Sequence, residues 1–264
     1  MHAITNFWWM AKSLAALLLL FISLTAKSQA WEVGGFAGGA GYMGDLNQNN
    51  PFKISGIAGG IFVKKNFDGY LALKLGYTYG LIKGADSLSQ NAQARSRNLS
   101  FNTQLNELSL TGEFNFMKYI PSVSESIYTP YIFGGIAYTG YTPKTTYLGR
   151  TYDLRTIQTE GKSYPGSTIA VPFGLGIKYN IAGRLTLGAD LGYRIAYTDY
   201  IDDVSDVYAD KSKLPTALAV ALSDRSANQI GAAGTQRGDL RPKDTYMFIG
   251  LSISYTFITQ KCYY

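Results

Sequence analysis

The histidine content of this chain sets the first limit on its chemistry. The only histidine is His2, which lies in an N-terminal segment with the features of a signal peptide. A mature chain without imidazole has no histidine general base and no Ser-His-Asp arrangement. Glu107 and Glu113 remain as a carboxylate pair. On one extended strand they would stand about 20 Å apart, too far to act on one bond. We therefore predict no enzymatic activity and no cofactor.

An acidic stretch from Thr198 to Asp210 is the second candidate for chemistry. Asp202, Asp203 and Asp206 offer the oxygen ligands that hard cations such as Ca²⁺ prefer. Their spacing does not match an EF-hand loop. We therefore predict a solvated turn-forming loop without metal, and these three aspartates are the alternative metal ligands. The later basic residues could pair with the aspartates and order the loop; they are Arg225, Arg237, Arg241 and Lys243.

Composition excludes several other classes of protein. Charged residues make up 16% of the chain and aromatic residues 14%, which is unlike a disordered chain. The net charge is +6, and the basic residues form no run, so we predict no nucleic-acid partner. The glycine-rich stretch 34–41 has no following Lys-Ser/Thr, which favours a close-packed strand over a phosphate loop. Cys262, the only cysteine, is interpreted as an incidental thiol.

The first 30 residues have the pattern of a secretory signal peptide. Lys12 supplies the positive charge, and Leu14–Ala26 forms an apolar run that is short for a transmembrane helix. Ser28-Gln29-Ala30 offers small residues at positions −3 and −1. We predict cleavage after Ala30, so that 1–30 is the signal peptide and 31–264 is one exported domain.

Apolar residues alternate with polar or small residues over much of the mature chain. In the segment Gly69–Ile82, for example, every second residue from Leu71 to Leu81 is Leu or Tyr. Period-two alternation indicates strands, and membranes accept only helices and closed barrels. We predict an all-β fold, an eight-stranded antiparallel transmembrane β-barrel of the outer-membrane type. The predicted strands are Trp31–Tyr42, Phe52–Lys64, Gly69–Ile82, Gln104–Lys118, Tyr128–Tyr141, Thr168–Ile181, Arg184–Tyr200 and Thr245–Ile258.

The connections between these strands alternate in length. Three are tight, at Asn66–Gly69, Pro121–Ser126 and Asn180–Gly183. The others are longer: Met43–Lys53, Lys83–Asn102, Thr142–Ser167 and Ile201–Asp244. Outer-membrane barrels have short periplasmic turns and long extracellular loops. The prediction is therefore an outer-membrane protein in contact with lipid, with both ends of the barrel chain on the periplasmic side.

The inward face of the predicted barrel carries charges of both signs. We interpret them as a structural ion network that fills the lumen, since an eight-stranded barrel is packed with side chains. A lipocalin-like barrel would face its apolar side inward, and a porin needs about 16–18 strands. The predicted network consists of Lys74, Glu107, Glu113, Lys178, Asp190 and Arg194.

Four pieces of the mature chain resemble one known family. They are Tyr42–Leu46, Thr198–Asp210, Leu222–Ser226 and Arg237–Asp239 followed by the last strand. With them the chain resembles the PorG-like outer-membrane barrels of the Bacteroidota, which are associated with the type IX secretion system. The resemblance implies a barrel that anchors a periplasmic ring, built from a lipoprotein and its partner protein, at the outer membrane. It supplies no catalytic residue.

Two functions follow from these observations. The first is a structural component of a type IX secretion or gliding complex, docked through the periplasmic rim. The second is a small surface barrel that works through its extracellular loops as an adhesin or ligand-binding protein. The first hypothesis predicts docking residues at the rim and in the C-terminal tail: Trp31, Asn66, Asp68, Tyr263 and Tyr264.

Overall fold

Eight long strands account for most of the structure. The computed structural model describes residues 30–258, so the predicted signal peptide, apart from Ala30, and the C-terminal tail lie outside the described residues. The long strands are β1 (Ala30–Met43), β2 (Ile54–Asn66), β3 (Leu71–Ala85), β4 (Ser100–Asn115), β5 (Tyr128–Tyr147), β7 (Ser167–Ala182), β8 (Leu185–Ala196) and β9 (Thr245–Ile258).

These strands close into one antiparallel barrel. Each pairs with its sequence neighbour, and β5 pairs with β7. The first and last strands complete the ring, with Ala30 opposite Ile258 and Met43 opposite Thr245. Within residues 30–258, closure pairs each of the eight long strands on both of its edges. The predicted eight-stranded barrel is confirmed.

The connections between strands differ sharply at the two ends of the barrel. At the terminal end, where Ala30 and Ile258 lie, the links are 67–70, 116–127 and 183–184. At the loop end, the short strand β6 (Arg150–Asp153) forms a hairpin with β5 that the alternation did not predict. Three short helices also lie at the loop end: α1 (Ala92–Arg97), α2 (Leu154–Ile157) and α3 (Ala217–Ser223).

Within residues 30–258, no helix has both the length and the apolar character to cross a membrane.

The two faces of the barrel follow the predicted alternation. On β3, Leu71, Leu73 and Leu75 are exposed on the exterior, while Ala72 is buried on the inner face. Apolar side chains likewise cover the outer face of the other strands. Exposed aromatic residues lie near the terminal end, as in the girdles of outer-membrane barrels; they include Trp31, Phe116, Tyr128, Tyr179 and Phe257.

Side chains fill the barrel interior. Within the described part of the chain, a void of only about 40 Å³ lies among residues such as Phe62, Lys74 and Phe248. A space of that size holds a few water molecules at most. The interior is therefore a packed core, as expected for eight strands.

Some strand boundaries differ from the predicted ones. β5 continues to Tyr147, because it pairs with β4 as far as Asn102 and then with β6. β8 stops at Ala196, before the predicted end at Tyr200, because the chain turns there over the barrel mouth. The link predicted at Pro121–Ser126 is longer, since β4 ends at Asn115. Ala30, the residue before the predicted cleavage point, is the first residue of β1.

The seam between β1 and β9 depends on a close approach of two backbones. Gly38 lies opposite Gly250. A Cβ atom on Gly38 would stand 2.0 Å from the carbonyl oxygen of Ile249 and 2.5 Å from the Cα of Gly250. We expect Gly38→Ala to force the seam apart and to lower the free energy of unfolding by about 1–3 kcal/mol.

Gly112→Ala is the matched control for that substitution. The nearest atom to a Cβ there is the carbonyl oxygen of Gly134, 3.9 Å away, so we expect little change or a slight stabilisation. Urea unfolding in detergent, followed by the fluorescence of Trp31, measures both variants. Equal unfolding midpoints for Gly38→Ala and Gly112→Ala would contradict the steric argument.

Candidate functional site

A folded cap covers the loop end of the barrel. Its longest piece is the segment 197–244 between β8 and β9. Arg97, at the end of α1, is buried and binds Asp86 through two hydrogen bonds of 2.7 and 2.8 Å. The same guanidinium donates to the carbonyl oxygens of Asp45, at 3.0 Å, and of Arg237. Arg97 thereby joins three separate loops into one unit.

A cluster of three buried aspartates lies inside this cap. Asp45, Asp202 and Asp244 are each at most 3% exposed. One carboxylate oxygen from each residue lies within 4.8 Å of the others. The Tyr42 hydroxyl donates a hydrogen bond to Asp202 Oδ2 and lies 3.4 Å from Asp244 Oδ1. We call Asp45, Asp202 and Asp244 the acidic trio.

Local backbone contacts place each member of the acidic trio. A tight turn with hydrogen bonds between Gly44 and Asn47 carries Asp45 just beyond β1. Asp244 extends the ladder between β8 and β9, since its N–H donates to the Thr198 carbonyl oxygen at 2.9 Å. Asp202 folds back over the mouth, and its Oδ1 accepts from the Val204 N–H at 2.9 Å.

A second buried polar cluster lies beside the acidic trio. Arg237 is 3% exposed and donates to Glu160 Oε1 at 2.6 Å. It also donates to the carbonyl oxygens of Asp203, at 2.8 Å, and Ser223, at 3.3 Å. The Asp203 carboxylate accepts hydrogen bonds from Tyr164 and Thr159. These contacts tie the segment 197–244 to the loop that follows β6.

The structure does not bring the three predicted metal ligands together. Asp202 belongs to the acidic trio, but Asp203 faces Tyr164 and Thr159 instead. Asp206 is exposed and pairs with Lys162 at 3.2 Å. The set Asp202, Asp203 and Asp206 is therefore wrong as a cluster, because the chain turns between these residues. Asp203 itself has a left-handed backbone, with φ of 68°.

Burial and mutual repulsion alter the acidity of the trio. Burial, followed by the Asp202 carboxylate, raises the pKa of Asp45 to about 10. Burial raises the pKa of Asp202 to about 8. Burial and the two neighbouring carboxylates also raise the pKa of Asp244 well above its usual value. Three negative charges at this spacing are unfavourable unless protons or a cation neutralise them.

A polar groove opens beside the cap at the loop end. Its volume is about 760 Å³, and Asp45, Arg97 and Arg237 lie in its wall. Amide side chains supply much of the remaining lining; they are Asn47, Gln48, Asn49, Asn50, Gln90, Asn91, Gln93 and Gln236. Amides both donate and accept hydrogen bonds, so the groove suits a hydroxyl-rich or hydrated ligand.

The predicted lumen charges form two clusters in the barrel interior. Glu113 is contacted by Lys178, Lys64 and Lys74 at 2.6, 3.0 and 3.2 Å. Glu107 pairs with Arg194 at 3.2 Å. The network therefore resembles the predicted one. Within residues 30–258, however, no ion pair links the Glu113 cluster to the Glu107 cluster.

Two lumen charges were missed, and one predicted charge has another role. The Glu32 carboxylate accepts a hydrogen bond from the Lys64 ammonium at 3.3 Å, and Glu113 forms an ion pair with the same ammonium. Asp190 accepts instead from the Tyr131 hydroxyl at 3.2 Å. Glu32 precedes the glycine-rich stretch 34–41, and glycines suit either face of a strand, so alternation does not show which way Glu32 points. Lys64 is the last residue of a predicted strand, where the same pattern is weak.

The predicted docking residues fall into three groups. Trp31 and Asp68 are exposed at the terminal end, as the docking hypothesis requires. Asn66 is only 5% exposed, and its amide donates to Glu32 Oε2 at 3.3 Å. Its assignment to a docking surface is therefore wrong, because it belongs to the lumen network. Tyr263 and Tyr264 lie outside the described residues.

Titration of Asp199 is expected to make the cap sensitive to pH. Burial, together with the carboxylates of Asp239, Asp206 and Glu160, raises the pKa of Asp199 to about 7. An acid whose pKa rises on folding stabilises the fold while protonated. Its contribution is complete below about pH 4 and is lost as the pH rises through about 7.

Amide hydrogen exchange of the segment 197–244 measures this effect. The exchange is followed in EDTA, which removes divalent cations, and each rate is divided by the intrinsic rate of an unprotected amide at the same pH. We expect weaker protection at about pH 9 than at about pH 5. Asp199→Asn should reduce the difference, of which the acidic trio supplies the rest, whereas Asp210→Asn, in the same segment, should leave it unchanged. An unaltered pH dependence in Asp199→Asn would assign the effect to other groups.

Sequence comparison identifies one matching family. The profile of a family described as "Domain of unknown function (DUF6089)" matches residues 11–215. No curated protein matches the chain in sequence.

Several solved structures resemble the fold. A major outer membrane protein from Thermus thermophilus has 14% identity and a TM-score of 0.46, over 88% of this chain and 100% of that one. Ail of Yersinia pestis, in complex with the heparin analogue sucrose octasulfate, has 8% identity and a TM-score of 0.42, over 88% and 100%. The N-terminal β-barrel domain of Pseudomonas aeruginosa OprF has 12% identity and a TM-score of 0.38, over 86% and 97%.

Proposed function

The chain belongs to the DUF6089 family, and from that premise we propose that it anchors a type IX protein secretion complex at the outer membrane. The fold supplies the membrane part of the proposal. It is a small barrel of the outer-membrane type, with an apolar exterior and a charged, packed interior. In the proposed orientation the terminal end faces the periplasm and the cap faces outward, as in other outer-membrane barrels. The proposed role is non-enzymatic.

The observation that supports this proposal best is the meeting of four distant sequence pieces in the cap. The stretches Tyr42–Leu46, Thr198–Asp210, Leu222–Ser226 and Arg237–Asp239 carried the resemblance to PorG-like barrels. In the structure Tyr42 binds Asp202, and Arg237 binds the carbonyl oxygens of Asp203 and Ser223. A generic eight-stranded barrel does not require such a cluster. The pieces therefore form one three-dimensional cluster in this chain, and this cluster supports the proposed relationship to the PorG-like family.

The terminal end offers the surface for the proposed periplasmic partners. Trp31 and Phe67 are exposed there, with the Lys65 ammonium 5.7 and 5.4 Å from their ring centroids. Glu125 is exposed in the link between β4 and β5. We call the surface formed by Trp31, Lys65, Phe67 and Glu125 the terminal rim. We propose that the terminal rim contacts a ring lipoprotein and its partner protein. Aromatic residues such as Trp31 and Phe67 are enriched at protein interfaces, and charged residues such as Lys65 and Glu125 suit the polar rim of such a contact.

A deletion strain tests the proposal in cells. We expect deletion to strand type IX cargo inside the cell, and the wild-type gene to restore its release. The tagged barrel, crosslinked in intact cells and purified, should carry periplasmic ring components with it. Normal secretion together with a solitary barrel would refute the secretion role.

Charge reversal separates the terminal rim from the cap. Glu125→Arg should reduce the recovery of ring components, because it changes an exposed charge at the proposed contact. Arg150→Glu is the matched control, since Arg150 is exposed at the opposite end of the barrel. Equal recovery for the two variants would place the contact elsewhere than Glu125.

The groove favours a second candidate function, which is binding of an external ligand at the cap. A volume of about 760 Å³ is large enough for a small oligosaccharide, and its amide lining suits hydroxyl groups. A glycan array with the purified barrel tests this function. We expect Gln48→Ala combined with Gln93→Ala to abolish any signal. Asn102→Ala, which removes an exposed amide outside the groove, should preserve it. Absence of any wild-type signal would count against this function.

A further inference from the structure

Three neighbouring strands converge on the acidic trio. The barrel order places β9 between β1 and β8. Asp45 follows β1, Asp244 directly precedes β9, and Asp202 follows β8. The antiparallel arrangement brings all three strand ends to the loop end. Residues distant along the chain are thereby held at one point by the barrel itself.

The spacing of the carboxylates suits one bound ion. Calcium binds oxygen ligands at about 2.3–2.6 Å, so two ligands of one ion stand at most about 5 Å apart. The oxygens of the acidic trio lie within 4.8 Å of one another. From this geometry we propose that Asp45, Asp202 and Asp244 bind a divalent cation of the calcium class in the cap.

The charges around the acidic trio support the proposal. Other buried acids have a cation within reach: Glu107 has Arg194, Glu160 has Arg237, and Asp86 has Arg97. In contrast, no member of the acidic trio forms an ion pair with any group in residues 30–258. The nearby Arg97 guanidinium is already bound to the Asp86 carboxylate through two hydrogen bonds.

An unpartnered oxygen gives a second and independent indication. Asp45 is 3% exposed, and its Oδ2 has no hydrogen-bond partner. Its Oδ1 accepts from the Asp239 N–H, which fixes the carboxylate in place facing Asp202 and Asp244. A buried carboxylate oxygen without a partner is costly. Coordination to a cation would satisfy it.

The groove provides the route for the ion. Asp45 lies in its wall, so a hydrated cation reaches the acidic trio from the loop end. Water in the groove can complete the six to eight oxygen ligands that calcium takes. A bound ion would link the ends of β1, β8 and β9 and hold the segment 197–244 against the barrel. Binding of this kind does not depend on the secretion role.

Terbium luminescence tests the site directly. Terbium(III) is a calcium-sized probe, and Tyr42, whose hydroxyl contacts Asp202, is placed to sensitise it. The full-length protein is purified from membranes in detergent and treated with EDTA. We expect saturable luminescence that calcium chloride displaces, with a Kd at or below about 10⁻³ M, as in extracellular calcium modules. Absence of saturable luminescence in the wild type would overturn the proposal.

Neutralising variants locate the ion. Asp45→Asn and Asp202→Asn should each weaken binding by about tenfold or more, because each removes a ligand charge. Asp210→Asn is the matched control in the same segment, at a side chain that is 44% exposed, and should bind as the wild type does. Equal binding in Asp45→Asn and Asp210→Asn would overturn the assignment.

Proteolysis gives a readout that does not rely on luminescence. The Lys213 side chain is 82% exposed, which makes it a site for trypsin in the segment 197–244. We expect calcium to slow cleavage of the wild type and of Asp210→Asn, but not of Asp45→Asn. The heat-dependent gel mobility of each variant reports whether its barrel has folded. Calcium protection that persists in a folded Asp45→Asn would refute the site.

Discussion

Glu113→Gln is expected to lower the free energy of unfolding of the barrel by about 3–5 kcal/mol. Glu113 is 1% exposed and is contacted by three ammonium groups, from Lys64, Lys74 and Lys178, at 2.6–3.2 Å. Removal of its charge leaves these groups repelling one another in the packed lumen. The nearest remaining counter-charge is Glu32, which is 3.3 Å from Lys64. Urea unfolding in detergent measures the change.

The matched control for this substitution is Glu125→Gln. It removes the same charge from an exposed position at the terminal rim, where the expected change is within about 0.5 kcal/mol. Adding Lys178→Met to Glu113→Gln should restore part of the stability, because one buried unpaired charge is then removed as well. A loss below about 1 kcal/mol in Glu113→Gln would show that water reaches the lumen lysines.

Arg237→Ala is expected to release the cap while the barrel stays folded. The guanidinium makes its hydrogen bonds to Glu160, Asp203, Ser223 and Thr159, which come from separate parts of the chain. Its loss leaves Glu160 buried without its partner, at a cost of about 3 kcal/mol or more. Amide exchange in the segment 197–244 should then be about a hundredfold faster.

Two further variants are needed to interpret the exchange rate of Arg237→Ala. Arg237→Lys keeps the charge but loses the planar fork of donors, so we expect an intermediate rate. Arg241→Ala removes an arginine whose side chain is 59% exposed, and it should exchange as the wild type does. If Arg237→Ala also lowered the unfolding midpoint of the barrel, the cap and the barrel would form a single cooperative unit.

Sequence alternation was sufficient for the barrel wall because one physical rule governs it. Outward positions contact lipid and inward positions contact the lumen, so residues such as Leu73 and Lys74 reveal their faces locally. The same rule predicted that Glu107 and Arg194 share the interior, where they do pair. It was silent at Glu32, since the glycines around it suit either face.

The cap could not be predicted in the same way. Its contacts join residues far apart in sequence, such as Asp45 with Asp202 and Glu160 with Arg237. The periodic pattern of polar and apolar residues along one strand gives no indication of such pairs. One usable signal was present, because Asp45 and Asp244 flank strands that become neighbours once the barrel closes. A search for acidic residues at the loop-end strand boundaries would have grouped them with Asp202.

The seam between β1 and β9 has a kinetic consequence. It joins Ala30 to Ile258, the two ends of the described chain, so its pairings are the least local in the barrel. Contacts of that kind form slowly, because the entropy of loop closure must be overcome before they stabilise anything. We therefore expect seam closure to limit the folding rate. The cap would then be completed last, since Asp244 reaches Asp45 only when β9 meets β1.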